Sequence, residues 1–380
     1  MRFPFFNNKW STTTLGTITK VFSGGTPSSK NKAYYNGNIP FIRSGEINKE
    51  ETELFLSEDG LKNSSAKLVS KGDLLLALYG ATSGEIGISK IDGAINQAIL
   101  CIKSNENIGF LKYLWESHVD GILKTYLQGG QGNLSAEIFK SIKIHIPSLE
   151  EQLVLYDFFE KLEKRINTQK KIIEDIELLK KQLRNNIFTV YYSSFQPLKN
   201  LYIKGKAGGT PKTTNKEYYD GDIPFLAITD ITSSGKYIDN CLKNISKKGL
   251  ENSSAWIVPA GSLILSMYAS VGLPCINKIE LATSQAMFSM ILKKGINIDY
   301  IYEYLKYFKE NKLETYLEKG TQSNINSNIV ENILIPLPDE EKISKIVNIL
   351  TSIDKKIDNE KSILQLYIKQ KEYLLNKLFI

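Results

Sequence analysis

Amides, hydroxyls and phenols that occur twice in matching contexts are the side chains of this sequence with the most chemistry to offer. Asn63 and Ser64 stand in the block Leu61–Ala66, and Asn252 and Ser253 in its counterpart Leu250–Ala255. Gln97 answers to Gln285, Tyr79 to Tyr268, Gln131 to Gln322 and Asn133 to Asn324. An Asn or Gln amide presents a donor and an acceptor in one plane, which suits the edge of an adenine, and a Ser hydroxyl can bond a base or a phosphate. The same groups also close turns and satisfy buried backbone. Both readings stand at each position.

Catalytic chemistry finds little support. The chain has two histidines, His118 and His145, and neither lies near a carboxylate or cysteine in a recognisable spacing. Histidine is the usual general base and the commonest metal ligand. His145 falls in the alternating run Ile142–Ile146, where an outward strand position is the simpler reading. Three cysteines, Cys101, Cys241 and Cys275, show no paired spacing. That argues against a disulfide scaffold or zinc ribbon and for a reducing compartment, with each cysteine acting as a small buried hydrophobe. No phosphate-binding Gly-Lys-Ser/Thr run follows the glycines.

Bulk properties agree with a globular protein that meets a polyanion. Hydrophobic residues make up 42% and charged residues 23% of 380, and the formal net charge is +7. A moderate basic excess suits a polyanionic partner such as DNA, and is also common among soluble proteins. The first ten residues carry one Arg and one Lys and no apolar run, and no stretch reaches the roughly 18 apolar residues of a membrane span. A soluble, cytoplasmic protein is expected, with no metal site and no membrane partner.

The elements that must position the polar pairs come as a repeat. Gly24–Phe41 returns as Gly208–Phe225, each opening on Gly-Gly-Thr-Pro and closing on Ile-Pro-Phe. Gly72–Tyr79 matches Gly261–Tyr268, and Ile146-Pro147 matches Leu337-Pro338. The Gly24 and Gly208 runs read as tight turns after a strand, or as backbone amides facing a phosphate.

A long helix follows each copy. Ser148 to Glu151 has the pattern of a capping box, and Asp339 is a weaker N-cap. Beyond them the chain holds no Pro or Gly as far as Phe188 and about Phe379. Phe159, Leu162, Ile166, Ile173, Ile176, Leu183 and Ile187 keep a heptad, and so do Leu350, Ile353, Ile357, Leu364, Tyr367, Leu374 and Leu378. The polar interruptions match: Gln169 corresponds to Glu360 and Lys180 to Lys371. Polar seam residues can fix register, or they can snorkel at a seam edge.

The parts therefore run module 1–148, helix 149–188, module 189–338, helix 339–380. A helix of some 40 residues is ~60 Å long. If the two pair along their heptads, connectivity makes them antiparallel, with a module at each end and a pseudo-two-fold axis between. The expected fold class is mixed α/β (α+β), two globular modules separated by an antiparallel coiled coil. Duplex DNA repeats every ~34 Å, so such a spacer suits a two-part site on one duplex.

Residues that differ between the copies are where two base preferences can be encoded. Arg43, Ser44 and Glu46 stand where the second copy has Ala227, Ile228 and Asp230, with Thr229 between. Arg43 can contact guanine with both arms of its fork, or lie at the surface beside Glu46. Lys30, Lys32, Lys67, Lys71, Lys206, Lys212 and Lys216 can meet phosphates or remain solvated.

The Gly-Gly-Thr-Pro and Ile-Pro-Phe blocks, the Asn-Ser-Ser-Ala block, Tyr79 to Thr82 and the Pro147 to Gln152 helix start together resemble the specificity subunits of type I restriction–modification systems, over nearly the whole chain and in both copies. That resemblance implies two target recognition domains reading a bipartite site in double-stranded DNA, two methyltransferase subunits and two restriction subunits as partners, and no catalytic residue on this chain. S-adenosylmethionine would serve the methyltransferase subunit, and ATP and Mg the restriction subunit. The sequence departs at Tyr268–Pro274, one residue shorter than its counterpart, and at Ile343, where the first copy has Gln152. The alternatives are a self-contained methyltransferase or nuclease, for which no Asn/Asp-Pro-Pro-aromatic motif or carboxylate cluster is present, and a coiled-coil adaptor whose modules bind protein.

Overall fold

Short strands of two to eight residues build the sheets, and the computed structural model describes residues 2–126, 133–190, 192–316 and 324–379. The chain forms two compact units, Met1–Ile172 with Glu360–Ile380, and Ile173–Asn359.

In the first unit, Leu74–Ala77 is buried at every position. Alternation sends its side chains two ways. Leu74 and Leu76 pack with Leu100, Ile102, Phe110, Leu114 and Trp115, under helix Ile108–Tyr126. Leu75 and Ala77 pack with Cys101, Ile42, Ile95 and Val69 of a second sheet. The first sheet is antiparallel, in the order Thr19–Ser23, Ile99–Ser104, Leu74–Ala77, Ile86–Ile88. The second runs Phe55–Leu56, Ile39–Ile42, Gly93–Ile95, Lys67–Val69, and its middle pair is parallel, with Phe41 opposite Ala94 and Ile42 opposite Ile95. Ser11–Thr14 pairs with Lys143–Ile146 and ties the ends of the module together. His145 faces outward there between buried Ile144 and Ile146. His118 bonds within its own helix, to Leu114 O.

The second unit repeats this plan. Leu263 and Leu265 face helix Ile298–Asn311, while Ile264 faces Leu226, Val258 and Cys275. Its first sheet has one strand more, Tyr237–Ile238, at the outer side of Pro274–Asn277. Cys101 and Cys275 are buried and Cys241 half-buried, and burial pushes the Cys101 and Cys241 thiols up to about 12.

The two long helices span Leu149–Thr189 and Glu340–Leu378, and each contributes to both units. Within the first unit Gln169 donates to the carboxylate of Glu360, and the Arg165 guanidinium lies 4.5 Å from the centre of the Tyr367 ring. Lys371 reaches Glu163 at 3.7 Å and Glu116 at 2.9 Å. Within the second, Lys180 contacts Asp354 and Glu303, both at 2.7 Å. Descending numbers on one helix meet ascending numbers on the other, so the pair is antiparallel in each unit. The polar seam residues do not snorkel. Gln169 meets its own counterpart, and each seam lysine joins the facing helix to a carboxylate on the module's helix. Beside them Phe159 and Ile166, and Leu350 and Ile357, are buried. Burying side chains of this size stabilises by about 2 kcal/mol each.

Both long helices start directly after Ser148 and Asp339, as the sequence places them, but their first turns are held differently from the expected pattern. Asp339 is a working N-cap, accepting from Lys342 N at 2.7 Å. Glu151 closes no capping box. Its carboxylate is taken by Arg2, at 2.7 and 2.5 Å, and by Trp10 at 3.2 Å, because both lie across the helix start. Gln152 is buried and bonds Glu106, Pro147 O and Asn107 N, whereas Ile343 in the second copy joins an apolar cluster.

Candidate nucleic-acid interface

Parallel strands end on the same edge, and that edge gathers most of the duplicated polar residues. Ile39–Ile42 leads into Arg43 and Ser44, and Gly93–Ile95 into Asn96 and Gln97. The Gly24-Gly25-Thr26-Pro27 turn crosses it. Gly25 N donates to Ile95 O at 3.3 Å, and a Cβ on Gly24 would lie 1.8 Å from that same oxygen, so only glycine fits. Thr26 Oγ1 then donates to Gln97 Oε1 at 2.5 Å. The second copy repeats each contact: Gly209 N to Thr283 O at 2.9 Å, a Gly208 Cβ 1.9 Å from Thr283 O, and Thr210 Oγ1 to Gln285 Oε1 at 2.5 Å. All four side chains are exposed. With the amide oxygen held by threonine, the two N–H donors of each glutamine are left to face solvent.

Leu78 links this cluster to the tyrosine loop. Its N–H donates to Ala98 O at 2.8 Å and its carbonyl accepts from Leu134 N at 3.0 Å. Tyr79, Gln97 and Asn133 thus flank one backbone junction. Met267 does the same with Ala286 O, at 2.7 Å, and Ile325 N, at 3.1 Å, beside Tyr268, Gln285 and Asn324. Tyr79 is half-buried, which raises its phenol, and Tyr268 is 41% exposed. The two loops close alike, Gly84 N on Ala77 O at 2.9 Å and Gly272 N on Ser266 O at 2.8 Å. They turn differently. Gly80 adopts φ +86°, whereas Ala269 and Ser270 hold φ +38° and +51°, the strain of one residue fewer. Gln131 and Gln322 lie outside the described residues.

The Asn-Ser-Ser blocks form turns. Asn63 Nδ2 donates to Asp59 O at 2.9 Å, and Ser64 Oγ accepts from Ala66 N at 3.2 Å. Asn252 and Ser253 make the matching bonds to Lys248 O and Ala255 N. Ser65 and Ser254 abut Gly25 and Gly209, which places these turns against the Gly-Gly-Thr-Pro crossing.

Arg43 is committed on one side. Its Nε and Nη2 contact Glu46 at 3.1 and 3.0 Å, and Nη2 also contacts Glu53 at 2.5 Å, which raises the guanidinium. A two-armed guanine contact through that fork must first displace these carboxylates. Glu46 is 4% exposed and also accepts from Arg43 N and Glu53 N. Burial pushes its carboxyl up, but the hydrogen bonds from Arg43 and the two backbone amides outweigh that and hold it below the ordinary range. Asp230, 2% exposed, plays the same part toward Ala227 N and Leu242 N. These two acids hold the divergent loops; Ser44 is half-buried and Thr229 exposed beside them. Lys30, Lys32, Lys67, Lys71, Lys206, Lys212 and Lys216 are all exposed. Sequence reasoning missed Thr26 and Thr210 as polar partners, although their recurrence in both copies was the available sign.

Comparison with known proteins places this arrangement. A family model described as the type I restriction modification DNA specificity domain matches residues 7–178 and 196–366. The type I restriction enzyme MjaIX specificity subunit of Methanocaldococcus jannaschii is 33% identical over 40% of this chain and 36% of that protein. The HindI specificity subunit of Haemophilus influenzae is 30% identical over 40% of this chain and 35% of that protein. The chain thus matches about a third of the length of each. The MjaVIII specificity subunit of M. jannaschii is 22% identical over 97% of this chain and 92% of its own. Two solved structures share the fold. The type I restriction-modification S subunit from M. genitalium has a TM-score of 0.56 at 14% identity, over 100% of this chain and 99% of that one. A chain from work on complex assembly and conformational transition of the type I R-M system has a TM-score of 0.64 at 15% identity, over 98% and 97%.

Proposed function

The chain belongs to the type I restriction–modification DNA specificity family, whose domain it carries twice, and we propose that it reads a bipartite site in double-stranded DNA with one module per half-site. It is a specificity component, not an enzyme. The observation that carries the reading is one polar cluster built twice: Thr26, Gln97, Tyr79 and Asn133 in one module, and Thr210, Gln285, Tyr268 and Asn324 in the other. Glutamine donors and a tyrosine suit phosphates and base edges. The divergent loops anchored by Glu46 and Asp230 give the two modules different sequence preferences.

The methyltransferase and restriction subunits of such a system act at the site this chain selects, two of each in the full assembly. S-adenosylmethionine belongs to the first, ATP and Mg to the second, and the assembly works in the cytoplasm. Mapping adenine methylation in host genomes with and without this chain tests the reading. A two-part motif that vanishes with the chain, and of which one half changes when residues 226–249 are exchanged for those of a relative, is the expected result. An unchanged methylation pattern overturns it and leaves a protein-binding adaptor.

A further inference from the structure

The antiparallel sheets of the two units end differently. In the second, strand Pro274–Asn277 is covered by Tyr237–Ile238, which runs parallel to it, with Ile276 N donating to Lys236 O at 2.8 Å and Lys278 N to Ile238 O at 2.7 Å. In the first, the matching strand Ile86–Ile88 is the last of its sheet. Its inner side is satisfied, since Ser89 N donates to Asp73 O and Gly72 N to Ser89 O, both at 2.8 Å. Successive residues of a strand turn their amides to opposite sides. Ile88 and Lys90, the counterparts of Ile276 and Lys278, therefore face outward. Among the described residues no backbone hydrogen bond reaches their N–H groups from that side. The cause is chain length. Between the buried acid and the next helix-capping serine, Glu46 to Ser57 is shorter than Asp230 to Ser246, and it supplies no strand at this edge.

An open edge is a template for another strand, and folded proteins ordinarily block it. This one borders an open cleft of about 670 Å³ between the sheet and the first long helix. Lys71, Lys90, Lys112, Lys164 and Lys171 line the cleft against the carboxylates of Glu160 and Glu163. Glu163 engages Lys112 and Glu50 engages Lys90, while Lys71, Lys164 and Lys171 are exposed. The second unit has Ala260 and Tyr302 where the first has Lys71 and Lys112. The outward row alternates N–H with C=O, and a carbonyl repels a phosphate but accepts from a peptide amide. Charge and backbone together select an acidic polypeptide over a nucleic acid.

We propose that this cleft binds an extended acidic segment of another protein, which adds to the sheet beside Ile86–Ile88 in the parallel sense of Tyr237–Ile238. Strand addition of this kind draws affinity from main-chain bonds and selectivity from the flanking side chains. It does not depend on the reading of DNA proposed above.

The test is amide hydrogen exchange on the full chain, with a capped peptide of alternating glutamate and valine as the probe. In the free chain Ile88 and Lys90 should exchange fast and Ile276 and Lys278 slowly. Saturating peptide should slow the first pair by about tenfold or more and leave the second unchanged. The double substitution Lys71→Glu/Lys164→Glu, at two exposed sites, should weaken the peptide by about tenfold without moving the thermal midpoint. A peptide of the same charge with N-methylated backbone should give no protection. Unchanged exchange at Ile88 and Lys90 overturns the proposal. So does equal binding of the N-methylated peptide, which reduces the cleft to a charge patch. Equal protection by a DNA duplex makes it a nucleic-acid surface instead.

Discussion

Thr26 Oγ1 donates its proton to Gln97 Oε1 at 2.5 Å and so fixes which face of that amide looks outward. Thr210 and Gln285 repeat the bond. A pair kept alike in two modules proposed to read different sequences suits a contact common to all DNA, such as a phosphate oxygen. Thr26→Val removes the hydroxyl and keeps the shape, which frees the amide to flip. Loss of one such bond is worth about 1 kcal/mol, so affinity for a cognate duplex, measured with the methyltransferase partner present, should fall about fivefold. The thermal midpoint should stay put, because both groups are exposed. An equal loss on every duplex sequence is expected; a loss confined to one base identity would make Gln97 a base reader.

Arg43 and Glu46 invite the opposite expectation. Glu46 holds four donors from a site that is 4% exposed. Glu46→Gln keeps the volume and discards the charge, and it should lower stability by about 2 kcal/mol by chemical denaturation. Arg43→Ala should cost less, since the guanidinium is 39% exposed and two backbone amides still serve Glu46. If Arg43→Ala instead abolishes specific binding with little loss of stability, the guanidinium leaves Glu46 to meet a base.

The legible parts of this fold were those with a period. Heptads placed the seam, including Gln169 and Lys180, since burial of every third or fourth side chain is a local property of one helix, although near its end Leu375 is buried and the named Leu374 only half-buried. The repeat itself paired Gln97 with Gln285 and Tyr79 with Tyr268. The illegible parts depend on what lies opposite. Glu151 has a helix-start pattern, but nothing local reveals that Arg2 and Trp10 take its carboxylate. Strand Tyr237–Ile238 has two residues, too few for any alternation, and exists because an edge was there to pair with. The sequence left Arg43 open between a guanine contact and a place beside Glu46, and nothing local showed that Glu53, ten positions away, also holds it.

Gln169 and Glu360 meet in the seam, both about 7% exposed. Gln169→Leu alone withdraws a donor from a buried carboxylate and should destabilise by about 2 kcal/mol. Gln169→Leu with Glu360→Leu makes that layer apolar and should raise the thermal midpoint above that of the unaltered chain, as replacing a buried polar pair often does. A double variant less stable than Gln169→Leu would show that Glu360's other contacts dominate.

Glu163 gives the first unit an acid sensitivity. Burial pushes its carboxyl up, but Lys112, Lys371 and the Tyr113 hydroxyl outweigh burial and hold it below the ordinary range. A carboxyl depressed on folding contributes in full above its unfolded value, about 4.3, and its contribution fades as pH falls through the folded value. Stability measured from pH 6 down to about 3 should therefore fall less steeply in Glu163→Gln than in the unaltered chain, and the variant should be the weaker of the two at neutral pH. Parallel curves would place the acid sensitivity elsewhere.

On the proposed reading of a bipartite site, the long helices Leu149–Thr189 and Glu340–Leu378 are expected to set the gap between half-sites. Adding one heptad to each of Leu149–Thr189 and Glu340–Leu378 preserves the seam and lengthens it by about 10 Å. At 3.4 Å per base pair, the unread gap in the methylated motif should widen by about three base pairs while both half-sites stay the same. Adding a heptad to one helix alone misaligns Gln169 with Glu360 and Lys180 with Asp354, and should abolish methylation rather than shift it. A gap unchanged by the paired insertion would mean that the partner subunits, not these helices, set the spacing.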